Sequence, residues 1–168
     1  MAKMKKLAVA ALGLGLLVMS ACGKTEQASS GEGHSSHASH APNGDLREIT
    51  ASSDTLPFFL EEQPDAVRLA YQIAGALDDT LQWIPCYCGC GGSAGHKSNL
   101  NCFIHEVRED GTVEWDDHGT RCGVCVQIAV ESAQLKQQGK SNLDIRKIID
   151  SKYQTGYAKP TDTPMPAV

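Results

Sequence analysis

The sequence predicts a small α+β domain, mainly helical with one short β-hairpin, carried behind a flexible tether and rich in cysteine and histidine. Three observations lead there. Apolar residues recur at three- and four-residue steps over 64–83 and again over 122–138, the period of an amphipathic helix. Between them, Phe103, Ile104 and Val107 precede Asp110-Gly111, and Val113 and Trp115 follow it, which is the pattern of a hairpin. Ahead of both, residues 23–53 are mostly Ser, Gly, Ala, Glu, Thr and His, and cannot bury enough apolar surface to offset the entropy of ordering them.

Residues 1–21 form an export signal. Lys3, Lys5 and Lys6 precede an unbroken apolar or glycine run from Leu7 to Val18. A positive start, a short apolar run and small residues define a secretory signal. The run is also shorter than the roughly 20 residues needed to span a bilayer. Met19-Ser20-Ala21-Cys22 then resembles the lipobox of bacterial lipoproteins, with Met19 where leucine is usual. That resemblance implies lipidation of Cys22 and a lipid-anchored chain on the extracytoplasmic face of the cell membrane. Two acyl chains, at about 0.8 kcal/mol per buried CH₂, are enough for stable anchoring.

Removing 1–21 takes three lysines and no acid, leaving 12 basic and 20 acidic side chains and a formal charge of −8. Nucleic acid is thereby excluded as a partner, because phosphate binding needs clustered Lys and Arg. Residues 22–55 are expected to be a disordered Ser/Gly/His-rich tether, 56–157 the Cys-rich domain, and 158–168, with its three late prolines, a flexible tail.

Within the domain, Val67, Ala70, Ile73, Ala74, Leu77 and Leu81 line one face of the first helix, with Pro64 at its start and Pro85 at its end. The second long helix runs from Cys122 to Gln138 and stops at Gly139. Ser141-Asn142-Leu143-Asp144 opens a last helix in the manner of a capping box. Large apolar side chains are few, so a metal or disulfides would help this core fold.

With Cys22 set aside, six cysteines remain in two groups. Cys86, Cys88 and Cys90 alternate along an extended segment, so their sulfurs can share one side. Cys-x-Cys bridges close only with strain, which favours metal over oxidation. Cys122 and Cys125 form a Cys-x-x-Cys at a helix N-terminus, where the partial positive charge favours thiolate and where half of a tetrahedral metal site is commonly found. Cys102 on the hairpin can complete either group, and His96 and His118 supply nearby imidazoles. His105 alternates with Phe103 and Val107 and reads as a packed hairpin residue.

Pro85-Cys86-Tyr87-Cys88-Gly89-Cys90, with Gly95-His96-Lys97-Ser98, Cys102-Phe103, Trp115 and Cys122-Gly123-Val124-Cys125, resembles the PCYCGC-motif family of bacterial lipoproteins across most of the domain. That family is a domain of unknown function. The resemblance implies an exported, anchored protein and assigns no catalytic residue.

The donor set itself points to a soft transition metal, Cu(I) or Zn(II), held by Cys86, Cys88, Cys90, Cys102, Cys122 and Cys125 with His96 and His118. The metal would be structural, or handled by a chaperone or scavenger that exchanges it with a donor or acceptor protein. His34, His37 and His40 in the tether add an auxiliary capture stretch. The alternative is a disulfide-stapled domain or a thiol–disulfide redox protein working through Cys122 and Cys125. No hydrolytic triad, phosphate-binding glycine loop or carboxylate pair suggests another enzyme class.

Overall fold

The computed structural model describes residues 38–167. The export signal, Cys22, His34 and His37 lie outside the described residues. No helix among the described residues is long and apolar enough to cross a membrane.

A four-stranded antiparallel sheet with the order β1-β2-β4-β3 forms one layer. Its strands are β1 (Ala38–His40), β2 (Leu46–Thr50), β3 (Ile104–Val107) and β4 (Val113–Asp116). The expected hairpin is present as β3–β4. It turns through Arg108–Thr112, with Arg108 N–H donating to Thr112 O at 2.9 Å and Gly111 at φ 85°. Only glycine takes that backbone conformation without strain.

The other two strands correct the expected tether from residue 38 on. Ala41 N–H donates to Asp45 O at 2.8 Å around Asn43-Gly44, with Gly44 at φ 90°, so the first hairpin is built on the same turn as the second. β2 then pairs along β4, with Arg47 opposite Asp116 and Glu48 opposite Trp115. The Trp115 indole donates to Thr50 Oγ1 at 2.8 Å and fixes the register from inside.

The helices cover the sheet and one another. α1 (Asp65–Ala76) buries Ala70, Tyr71 and Ala74 and packs on α4 (Gly123–Gln137). The single helix expected over 64–83 is broken at Leu77, whose φ of −130° leaves the helical region, and it restarts as the short α2 (Asp78–Leu81). Asp78 and Asp79 then occupy a new N-terminal turn, where acidic side chains are favoured. α3 (Gly91–Ala94) is a single turn. α4 ends at Gly139, φ 78°, with Lys140 N–H donating to Leu135 O. α5 (Asn142–Tyr153) is capped as expected, the Ser141 hydroxyl accepting from Asp144 N–H.

Trp115, Tyr71, Tyr153, Phe103 and Leu60 are the largest fully buried side chains, whereas Phe58 is exposed. Tyr71 lies edge-on to Phe103 at 5.1 Å and donates its hydroxyl to Asp116 O at 2.7 Å. His105 is exposed beside a bulge between Ile104 and Glu106, and is not packed as alternation suggested. A bulge re-aims the side chain it carries.

The expected free tail is also corrected. Thr161 N–H donates to Cys86 O, and Cys86 N–H donates to Thr161 Oγ1 at 2.9 Å. Ala158 N–H donates to Tyr87 O, and Thr163 Oγ1 donates to Lys97 O at 2.6 Å. Arg146, buried on α5, donates to Thr163 O and Pro164 O while its Nε binds Asp150. Residues 158–164 are therefore strapped across the Pro-Cys segment.

Candidate metal centre

Four elements bring the cysteines together. The loop after α2 carries Cys86 and Cys88. A 3₁₀ turn at Asn99–Cys102 carries Cys102, and its start is closed by a reciprocal Ser98–Asn101 capping box. Cys122 stands at the N-cap of α4 and Cys125 in its first turn. The 3₁₀ turn at Asp117–Arg121 delivers the chain into α4 and carries His118. It passes so close to the cluster that a Cβ on Gly119 would stand 2.6 Å from Phe103 Cδ1 and 2.7 Å from Cys102 O.

The sulfurs converge. Cys86 Sγ lies 2.8 Å from Cys88 Sγ and 3.3 Å from Cys125 Sγ. Cys102 Sγ lies 2.9 Å from Cys125 Sγ and 3.8 Å from Cys86 Sγ. His96 Nδ1 meets Cys102 Sγ at 3.4 Å. All six domain cysteines are free. None of these separations is the roughly 2.05 Å of a disulfide. Sulfurs at the corners of a tetrahedral thiolate site with bonds of about 2.3 Å stand about 3.8 Å apart. Two of the four separations are about 1 Å shorter than that, one about 0.5 Å shorter and one equal to it, so the sulfurs would move apart to admit an ion.

Cys90 departs from the expected three-sulfur face. It caps the short α3 and sits half-buried at the rim, touching the cluster through its N–H, which donates to Cys88 Sγ at 3.3 Å. Cys122 belongs to the cluster through Cys125 and Cys88.

Mutual contact divides the protons unequally. Hydrogen bonds from Cys102 and then Cys125 hold the Cys86 thiol at about 6, below its usual 9.0. Cys88 is lowered further, by Cys102, Cys122, Cys125 and Cys86 in that order. Cys125 moves the other way: its contacts with Cys102, Cys122, Cys86 and Cys88 push it up, and burial adds to this. The α4 N-terminus, expected to make Cys125 a thiolate, is outweighed by its crowded sulfur neighbours. His118 is raised, first by contact with Cys88 and also by Asp45. Cys86 and Cys88 are therefore the thiolate pole of the centre, with His118 beside them.

His96 and His118 also face a second group of donors. Their rings meet edge-on at 4.6 Å, and His118 Nδ1 lies 3.1 Å from Asp45 Oδ2. One donor atom from each of Asp45, His96, Asp116 and His118 falls within 4.8 Å of all the others, just as happens for Cys86, Cys88 and Cys125. Sequence reasoning missed both aspartates. Asp116 lies two residues before His118 and could be mistaken for a polar loop residue, and Asp45 fell in the stretch assigned to the tether. Of the three tether histidines only His40 is described; it is exposed on β1, five residues ahead of Asp45.

No curated protein and no solved structure matches the chain. One family model does, that of a protein of unknown function with PCYCGC motif, over residues 10–166. Pro85-Cys86-Tyr87-Cys88-Gly89-Cys90 is the motif itself, and the matched span takes in every residue of the centre. The chain belongs to the PCYCGC-motif family.

Proposed function

We propose that this protein is an exported lipoprotein, anchored at the extracytoplasmic face of the cell membrane through Cys22, that binds a soft transition metal, Cu(I) or Zn(II), and hands it on. The convergence of Cys86, Cys88, Cys102 and Cys125 from distant parts of the chain, none at bonded distance, carries this reading. Thiolates select Cu(I) and Zn(II) over hard cations. Their contacts shift Cys86 and Cys88 toward thiolate, so an ion need displace fewer protons.

Handling is favoured over a purely structural metal by access. A cleft of about 740 Å³ reaches Cys86 and His96 and is lined by Gly89, Gly91 and the strapped tail residues Pro160 and Thr161. His34, His37 and His40 would capture ions on the way in, and a metal-donating or metal-accepting protein would be the partner. Deleting residues 34–40 should then slow metal uptake without changing the final amount bound.

The site is tested by titrating the reduced protein with Cu(I) against a competing chelator. Cys88→Ser and Cys125→Ser should each weaken binding by at least a hundredfold, and Cys90→Ser, at the rim, by much less. Equal losses at all three positions would contradict the assignment.

A further inference from the structure

The thiolate cluster leaves a set of donors on its far side unexplained. Asp45, Asp116, His96 and His118 converge within 4.8 Å, and three of the four are buried. A set that mixes histidine rings with carboxylates suits a borderline divalent ion such as Zn(II) better than Cu(I), which favours sulfur. We propose that these four residues form a second metal site, distinct from the thiolates, that takes a divalent cation in N₂O₂ coordination.

One observation supports it beyond the grouping. His96 is only 8 % exposed, its Nδ1 is engaged by Cys102, and its Nε2 is buried with no hydrogen-bond partner. A buried polar atom without a partner is costly, and an ion is one thing that would satisfy it.

The surrounding bonds resemble the outer support of a built site. Arg47 Nε holds Asp116 Oδ2 at 3.0 Å, and His118 N–H holds Asp116 Oδ1 at 3.0 Å. Arg121 and Asn43 hold the two oxygens of Asp45. Such partners aim carboxylates at a metal and keep them from rotating away. Carboxylate oxygens retain further lone pairs for the ion. A cavity of about 190 Å³, lined by Arg47, His96, Asn101, His105 and Asp116, reaches two of the four donors. His96 also lines the Cys86 cleft and touches Cys102, so it stands where the two groups of donors meet.

The test loads the reduced full-length protein with Cu(I), removes the excess, titrates Zn(II), and measures both metals after desalting. About one Zn(II) per chain should be retained beside the copper, and zinc-edge X-ray absorption should show only N/O ligands, at about 2.0–2.2 Å. Asp45→Asn and Asp116→Asn should each lower Zn(II) affinity at least tenfold while Cu(I) content stays the same, which also shows that the variants are folded. Zinc that is not retained, zinc with a sulfur shell, or variants that bind it like the parent would overturn the second site. If the protein fails to hold Cu(I), the thiolate reading falls alone. Zinc titrated by itself must then still include an N/O-ligated ion lost in Asp45→Asn, and its absence overturns this proposal too.

Discussion

Cys102 and Cys125 are separated by 23 positions, yet their sulfurs stand 2.9 Å apart between a 3₁₀ turn and the first turn of α4. That contact joins the hairpin side of the fold to the helical side, and Cys86 and Cys88 close on it from a third direction. The centre is thus a junction of elements, so its geometry depends on each of them.

The stability of the metal-free, reduced protein should depend on pH in a way set by the thiols. Cys86 is lowered to about 6 from 9.0, and Cys88 is lowered too, so the unfolded chain binds more protons between those values. The Cys86 contribution is complete above about pH 9 and is lost as pH falls through 6, while that of Cys88 declines over the same range and goes on declining below it. Cys122, raised to about 11 where Cys88 and burial outweigh the pull of Cys125, loses its contribution as pH rises from 9 to 11. His118, raised, opposes the thiolates above its ordinary 6.5, one group against two. Chemical denaturation from pH 6 to 11 should show maximal stability near 9. A monotonic fall from 6 upward would contradict this distribution of protons.

The strapped tail should matter to both stability and binding. Arg146 donates to Trp83 O, Thr163 O and Pro164 O and pairs with Asp150. Arg146→Ala removes all of these and should destabilise the protein by about 3 kcal/mol. Because Thr161 bonds the Cys86 backbone in both directions, truncation after Gly156 should weaken metal binding as well. Denaturation and chelator competition read the two effects separately.

Gly119→Ala should be disruptive out of proportion to one methyl group. The added carbon would meet both the Phe103 ring and the Cys102 carbonyl, and one of these is backbone that cannot turn aside. A loss of about 1–3 kcal/mol is expected for such overpacking, with faster metal release because Cys102 is the residue displaced. Gly123→Ala, where the space is open, is the control and should be close to neutral.

Much of the helical architecture was legible because its signals are local. The period of Val67, Ala70 and Ala74, the Ser141 cap and the Asp110-Gly111 turn each act over a few residues. The first hairpin carried an equally local signal, since Asn43-Gly44 makes the same turn as Asp110-Gly111. It was hidden by composition: β2 has only Leu46 and Ile49 as apolar residues, and its place is set by pairing with β4 far along the chain. The tail was hidden for a related reason, because Thr161 and Thr163 are held by backbone hydrogen bonds that leave no hydrophobic pattern. Cysteine spacing named the ligands, but the grouping needed the fold. Cys90 looks equivalent to Cys88 in sequence, and it is the α3 cap that turns it to the rim.

The central claim is that these sulfurs hold metal rather than one another. Elemental analysis of the protein purified without added metal, paired with a free-thiol count after denaturation under chelator, tests it most directly. The account predicts bound copper or zinc and six free thiols in the domain once the metal is removed. Metal-free protein with three disulfides would contradict it.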